Sequence, residues 1–231
     1  MSGRFAGRIR SCLAAGFTTV ALTSPLYAAG PYAVGTSEVD PVGTCYADSW
    51  ASFAQNGDFV GITNPACVFN FGHPVDLGIE FKRAESDGDW TSQLKVKAKA
   101  NFIPIARYGI GLAINGNVNF DLLTHEARSA ALFFPISLQL AEPLRLHLKI
   151  GMQWDLIRDR SFETWGANLE LKVAPKVKVL AEVYGQDDDQ PSAQAGLRYS
   201  PHEKIDFEFV YGRNIEGERS SWFTFGVNLR F

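Results

Sequence analysis

From residue 75 to the last residue, apolar side chains recur at every second position in one run after another. Val75, Leu77, Ile79 and Phe81 alternate with Asp76, Gly78, Glu80 and Lys82. Leu94, Val96, Ala98, Ala100 and Phe102 alternate with Gln93, Lys95, Lys97, Lys99 and Asn101. Between Tyr108 and Phe120 the pattern repeats around a ladder of Asn115, Asn117 and Asn119. Further runs cover residues 130–140, 144–156, 165–173, 177–183, 193–199, 205–211 and 223–231. A period of two sends successive side chains to opposite faces of a strand. The pattern therefore predicts an all-β chain of about ten strands, the even number expected of a closed bacterial barrel.

The links between runs alternate as well. Pro104, Pro143, Pro175 and Pro201 mark short turns, and residues 84–89, 121–128, 157–163, 186–192 and 213–221 form longer polar links. Short periplasmic turns and longer outer loops are the outer-membrane arrangement. Several runs are long enough to cross a tilted bilayer as strands. Aromatic residues near run ends, among them Phe81, Trp90, Phe102, Tyr108, Trp165, Tyr199, Tyr211 and Phe223, suit two girdles at headgroup depth. The last run sets Phe223, Phe225, Val227, Leu229 and Phe231 against Thr224, Gly226, Asn228 and Arg230, and ends on an aromatic. It resembles the C-terminal strand of Gram-negative outer-membrane β-barrels. That resemblance implies recognition by the barrel-assembly machinery, an outer-membrane location and a surround of outer-membrane lipid. Gly196, Leu197, Arg198 and Tyr199 before Pro201, with Tyr211, Gly212 and Arg213 leading to Trp222, also look like the penultimate hairpins of uncharacterised α-proteobacterial barrel proteins.

The first part of the chain reads differently. Arg4, Arg8 and Arg10 precede a short apolar stretch and small residues around Ala28, so residues 1–28 are expected to be a cleaved signal peptide carrying Cys12 away. Cys45 and Cys67 remain, an even pair in an oxidising compartment, and are expected to form a disulfide. Residues 29–72 hold Pro31, Pro41 and Pro65 and show no sustained alternation. They are expected to be a disulfide-tied periplasmic extension or plug, with a short helix over 46–55. An extra hairpin from 59–62 and 68–71 is the alternative. The barrel would then occupy residues 73–231.

A formal charge of −3 over 231 residues, without a basic block, argues against nucleic acid as a partner. On the predicted inner face, basic and acidic positions mix: Glu80, Lys95, Lys97, Lys99, Arg145, Lys149, Glu170, Glu182, Arg198 and Asp206 are among them. They describe either an ion path with anion preference or charges paired across strands in a filled lumen; small barrels usually fill theirs. Opposed pairs are expected between Glu80 and Lys95, Asp76 and Lys99, and Arg198 and Asp206, with Lys97 facing Gly78. No catalytic, metal or cofactor motif stands out, so no cofactor is expected. His147 has Lys149, not serine, two residues on, and His125 has Ala127. The expected function is a structural or narrow small-solute barrel of open oligomeric state. The alternatives are a rim enzyme cleaving lipid or peptide, around His125 and Asp155, and an adhesion or partner-binding barrel.

Overall fold

The computed structural model describes residues 31–187, 190–216 and 220–231; the expected signal segment, with Cys12, lies outside the described residues. Strands β1 (Cys45–Ala54), β2 (Phe59–Asn70), β3 (Pro74–Ser86) and β4 (Asp89–Ile103) open the fold. A single helical turn, α1 (Ile105–Tyr108), leads into β5 (Ile110–Asp121), β6 (Ala127–Ala141), β7 (Leu144–Asp155) and β8 (Arg160–Ala174). The series ends with β9 (Val177–Gln186), β10 (Ser192–His202), β11 (Ile205–Asn214) and β12 (Ser221–Arg230). Each strand pairs antiparallel with its sequence neighbours, and β1 closes on β12, so the sheet is one up-and-down barrel of twelve strands.

Twelve strands stand where about ten were expected, and the two extra ones are β1 and β2. The barrel therefore begins at Cys45 rather than at residue 73, and the helix expected over 46–55 is a strand. The reason lies in side-chain size. Tyr46, Asp48, Trp50 and Ser52 point inward, while the outward set is Ala47, Ser49, Ala51 and Phe53, too weakly apolar to register as alternation. Strand β2 joins the two short runs through Pro65, which keeps its place opposite Ala47 in β1 while the β2–β3 pairing skips it. A proline lacks the ladder donor, and this skip is where that donor is missing.

Cys45 and Cys67 are direct cross-strand partners and form a disulfide with a Cα–Cα distance of 4.0 Å. Cys45 also exchanges backbone hydrogen bonds with Phe231, so the staple sits at the seam where the two chain ends of the barrel meet. The turns containing Pro104, Pro143 and Pro175, and Pro201 near the end of β10, all lie at this terminal end. At the opposite, hairpin end the strands run further than expected. Only Asp87 and Gly88, both at positive φ, join β3 to β4, a two-residue hairpin turn that needs residues tolerant of that conformation.

The outer face is apolar: Ile79, Val96, Phe134, Ile150, Leu169, Phe209 and Phe225 are all exposed. Contiguous apolar surface of this kind requires cover, and the strand length suits lipid. Rings gather at both rims. Phe53, Phe59 and Trp90 stand 5.3 and 6.0 Å apart in sequence at the hairpin end, as do Tyr211 and Phe223 at 5.0 Å. Phe69, Phe71, His73 and Phe102 gather at the terminal end.

Candidate lumen site

Residues 31–40 lie inside the barrel. Tyr32, Ala33, Val34 and Ser37 are almost completely buried. An irregular segment in such a place needs partners for its backbone, and inward side chains of the strands supply them. Glu182 of β9 accepts the N–H groups of Ala33 (2.5 Å) and Val34 (3.0 Å), together with the side-chain amides of Asn168 (2.9 Å) and Gln194 (2.7 Å). Lys149 of β7 donates to the Ala33 carbonyl at 2.7 Å, and Gln194 to that of Pro31 at 2.9 Å. Nearer the terminal end, Asn101 donates to the Ser37 carbonyl at 2.6 Å, Lys99 donates to the Glu38 carbonyl, and Ser37 N–H reaches the Ser137 hydroxyl at 2.9 Å. Glu38 pairs with Arg145 at 2.9 Å, and Asp40 with Arg230 at 3.3 Å.

Glycines make the room. A Cβ on Gly166 would sit 2.5 Å from Val34, one on Gly196 2.8 Å from the Tyr32 hydroxyl, and one on Gly226 3.4 Å from Pro31; one on Gly111 would collide with Ser37. Strand glycines often mark the close approach of another backbone, and these four lie beneath the plug. Apolar contacts complete the seat: Tyr32 packs with Leu180 and Val210, and Ala33 and Val34 with Tyr184 and Trp222.

The segment leans mostly on β6–β10 and β12, is also bonded to Asn101 and Lys99 of β4, and leaves a cavity of about 280 Å³ that is lined from β6–β12 round to the inner faces of β1 and β3–β5. Tyr46, Asp48, Asp76, Glu80, Lys95, Lys97, Lys99, Asn115 and Asn117 line it from that side. The register is the expected one here: Glu80 faces Lys95, Gly78 faces Lys97 and Asp76 faces Lys99. Lys95 and Glu80 form an ion pair with side chains 9% and 4% exposed.

The expected pair of Arg198 and Asp206 is not formed. An irregularity between Tyr199 and His202 shifts the pairing, so Arg198 stands opposite Glu208 and binds it at 2.5 Å, and also approaches Glu170 at 3.8 Å. Asp206 instead binds Arg230 at 2.8 Å and the Ser200 hydroxyl at 2.5 Å. Glu80, Lys95, Lys97, Lys99, Arg145, Lys149, Arg198 and Asp206 all line the lumen or its rims, and they are divided: Lys99, Arg145 and Lys149 hold the plug, while the others face one another or the cavity. Phe223, Phe225, Val227, Leu229 and Phe231 run along the outer face of β12 and the chain end.

Sequence reasoning named Glu182 as a lumen charge, but missed its role and the parts of Gln194, Asn101, Ser137 and the four glycines in seating the plug. Inward glycines in otherwise regular strands were the available signal. It also missed a serine–histidine pair. Ser137 and His147 face each other across β6 and β7, their hydroxyl and Nδ1 2.8 Å apart. Both are fully buried under Ser37. At the hairpin end, Asp121 and Asp155 accept backbone N–H groups of the following turns, and His125 sits in such a turn at φ 59°. Among the described residues no group of three or more His, Cys, Asp or Glu side chains is placed to hold a metal.

The model of a family described as "Uncharacterised conserved protein UCP029691" matches residues 17–231. No curated protein matches the sequence. Solved structures with the same fold include the KdgM porin, with a TM-score of 0.64 at 11% identity over 80% of this chain and 99% of that one. The NanC porin gives 0.62 at 8% identity over 79% and 98%. Outer membrane phospholipase A from Escherichia coli gives 0.52 at 10% identity over 84% and 95%. At these identities the likeness concerns the fold, that of outer-membrane β-barrels.

Proposed function

The chain belongs to that uncharacterised family, and we propose that it serves as a narrow outer-membrane channel for small hydrophilic solutes. Its bore is set by residues 31–40. The observation that carries the reading is the division of the lumen: the plug is fastened to the wall through its backbone, and a charged, amide-lined cavity of about 280 Å³ remains beside it. A plug held by hydrogen bonds to its own backbone stays in place and narrows the bore. The remaining lining is polar, which favours water and small solutes over lipid. Turns at the terminal end face the periplasm in this reading, in line with the residue pattern of β12, and the barrel-assembly machinery inserts the chain.

Conductance in planar bilayers tests the proposal. The purified protein should give small, resolved current steps, and a variant lacking residues 31–40 should give several-fold larger ones. Silence from both would leave a purely structural barrel. A second reading, a lipid-cleaving enzyme, draws on the Ser137–His147 pair and the fold shared with the phospholipase. Its pair lies beneath Ser37, closed to substrate while the plug is seated. Phospholipid hydrolysis that is lost in His147→Ala would favour that reading over the channel.

A further inference from the structure

Three lysines stand in a row on the inner face of β4, and their surroundings differ. Lys95 is bound to Glu80, and Lys99 gives its ammonium to the Glu38 carbonyl of the plug. Lys97 lies across Gly78, where a Cβ would come within 2.8 Å of its Cε. It makes no ion pair within 4.0 Å among the described residues. Of the carboxylates that act on it, Glu80 and Asp48 are engaged elsewhere, and Asp76 is engaged through one oxygen while its Oδ1 has no hydrogen-bond partner and lies beyond ion-pair distance of Lys97. Lys95 holds Glu80, the amides of Asn64 and Asn228 hold Asp48, and the Tyr46 hydroxyl holds Asp76 at 2.5 Å.

Across the next ladder, β5 sets Asn117 opposite Lys97 and Asn115 opposite Lys99. The side-chain carbonyl oxygens of Asn115 and Asn117 are buried without a hydrogen-bond partner. All three residues line the cavity. Buried polar atoms without partners are uncommon, and each asks for an explanation. An ammonium needs an acceptor, best an anionic one, and an amide carbonyl needs a donor. A simple anion answers only the lysine, and a neutral polyol answers only the asparagines.

We infer that Lys97, Asn115 and Asn117 form a binding site for a small hydroxylated carboxylate: its carboxylate meets Lys97 and its hydroxyls donate to the two asparagines. The inference rests on the channel reading for access to the cavity, and its chemistry is independent of it. Sodium gluconate is a suitable probe. Sorbitol, the same hydroxylated chain without the acid, and acetate, the acid without the chain, are its controls. Titration calorimetry on the folded full-length protein in detergent should find gluconate bound at least about tenfold more tightly than either control, the worth of one hydrogen bond to a charged group. Lys97→Gln should erase the advantage over sorbitol, Asn117→Leu the advantage over acetate, and Lys97→Arg should keep both. Equal binding of gluconate and sorbitol, or full gluconate binding by a folded Lys97→Gln variant, would overturn the site. Because binding is read at equilibrium, a barrel that binds gluconate but passes no current defeats the channel and leaves the site. A barrel that conducts without discriminating among the probes defeats the site and leaves the channel.

Discussion

The two sides of the lumen solve the same problem differently. A twelve-stranded barrel encloses more space than short side chains fill. Along β6–β10 and β12 the chain fills most of it with its own residues 31–40, which also bond Lys99 and Asn101 of β4, and glycines in the wall admit a second layer of backbone. On the side of β1 and β3–β5 the wall carries long charged side chains and amides that reach into the cavity, and the brace is outside, in the Cys45–Cys67 disulfide. One side is thus held by the fit of backbone to side chain. The other is held by charge pairs and a covalent staple, and keeps hydrogen-bonding capacity unspent. The contrast teaches that inward glycine beneath the plug marks a close backbone approach, while the inward lysines divide between holding the plug, as Lys99 and Lys149 do, and lining the room beside it, as Lys97 does.

The sharpest way to break the comparison is at Glu182. Glu182→Ala removes the acceptor of two plug N–H groups and the countercharge of buried Lys149. Leaving buried donors without their acceptor costs about 1–3 kcal/mol each. The temperature at which the folded band is lost in gel electrophoresis should fall, and residues 31–40 should become accessible to protease. Lys149→Ala in the same chain should recover part of the stability. On the other side, Cys45→Ser with Cys67→Ser should cost about 3 kcal/mol on the chain-entropy account of a loop of this size. Here protease should still find residues 31–40 protected, because none of their hydrogen bonds depends on the staple. A third test is Gly166→Ala, which forces a methyl against Val34 and should cost about 1–3 kcal/mol by overpacking. Val34→Ala in the same chain should restore much of it, a coupling that thermal unfolding of the four variants measures. Asp40→Asn should change least. Its pair with Arg230 is partly exposed and Arg230 keeps Asp206, so a loss below about 1 kcal/mol is expected, visible only as a small rise in current noise.

Legibility followed the physics of each region. From β3 onward, large apolar residues on the outer face make the period of two plain, and that period also set the register of Glu80 with Lys95. In β1 the outer face is mostly Ala and Ser, so a true strand left almost no trace; in β2, Pro65 looked like a break although the strand runs through it. Arg198 and Asp206 were matched by counting from the turn, and a single irregularity in β10 moved Arg198 to Glu208. The plug was harder still. Its segment has no period, and its partners stand 61 to 190 residues away, a relation no local pattern encodes. Lys97 opposite Gly78 could be read from the alternation, whereas the engagement of Glu80, Asp48 and Asp76 by other groups could not.

Those long separations have a bearing on the order in which the molecule assembles. The Glu182 carboxylate, the Gln194 amide and the floor at Gly196 exist as a receptor only once β8, β9 and β10 are paired, and the β1–β12 seam waits for the last strand. Contacts that close such large loops come late in folding, because their entropic cost falls due before they return anything. Residues 31–40 are made before every strand and can be seated only after most of them. The earliest described stretch of the chain is accordingly the last to find its place, and a barrel caught just before that moment would be wider than the mature one.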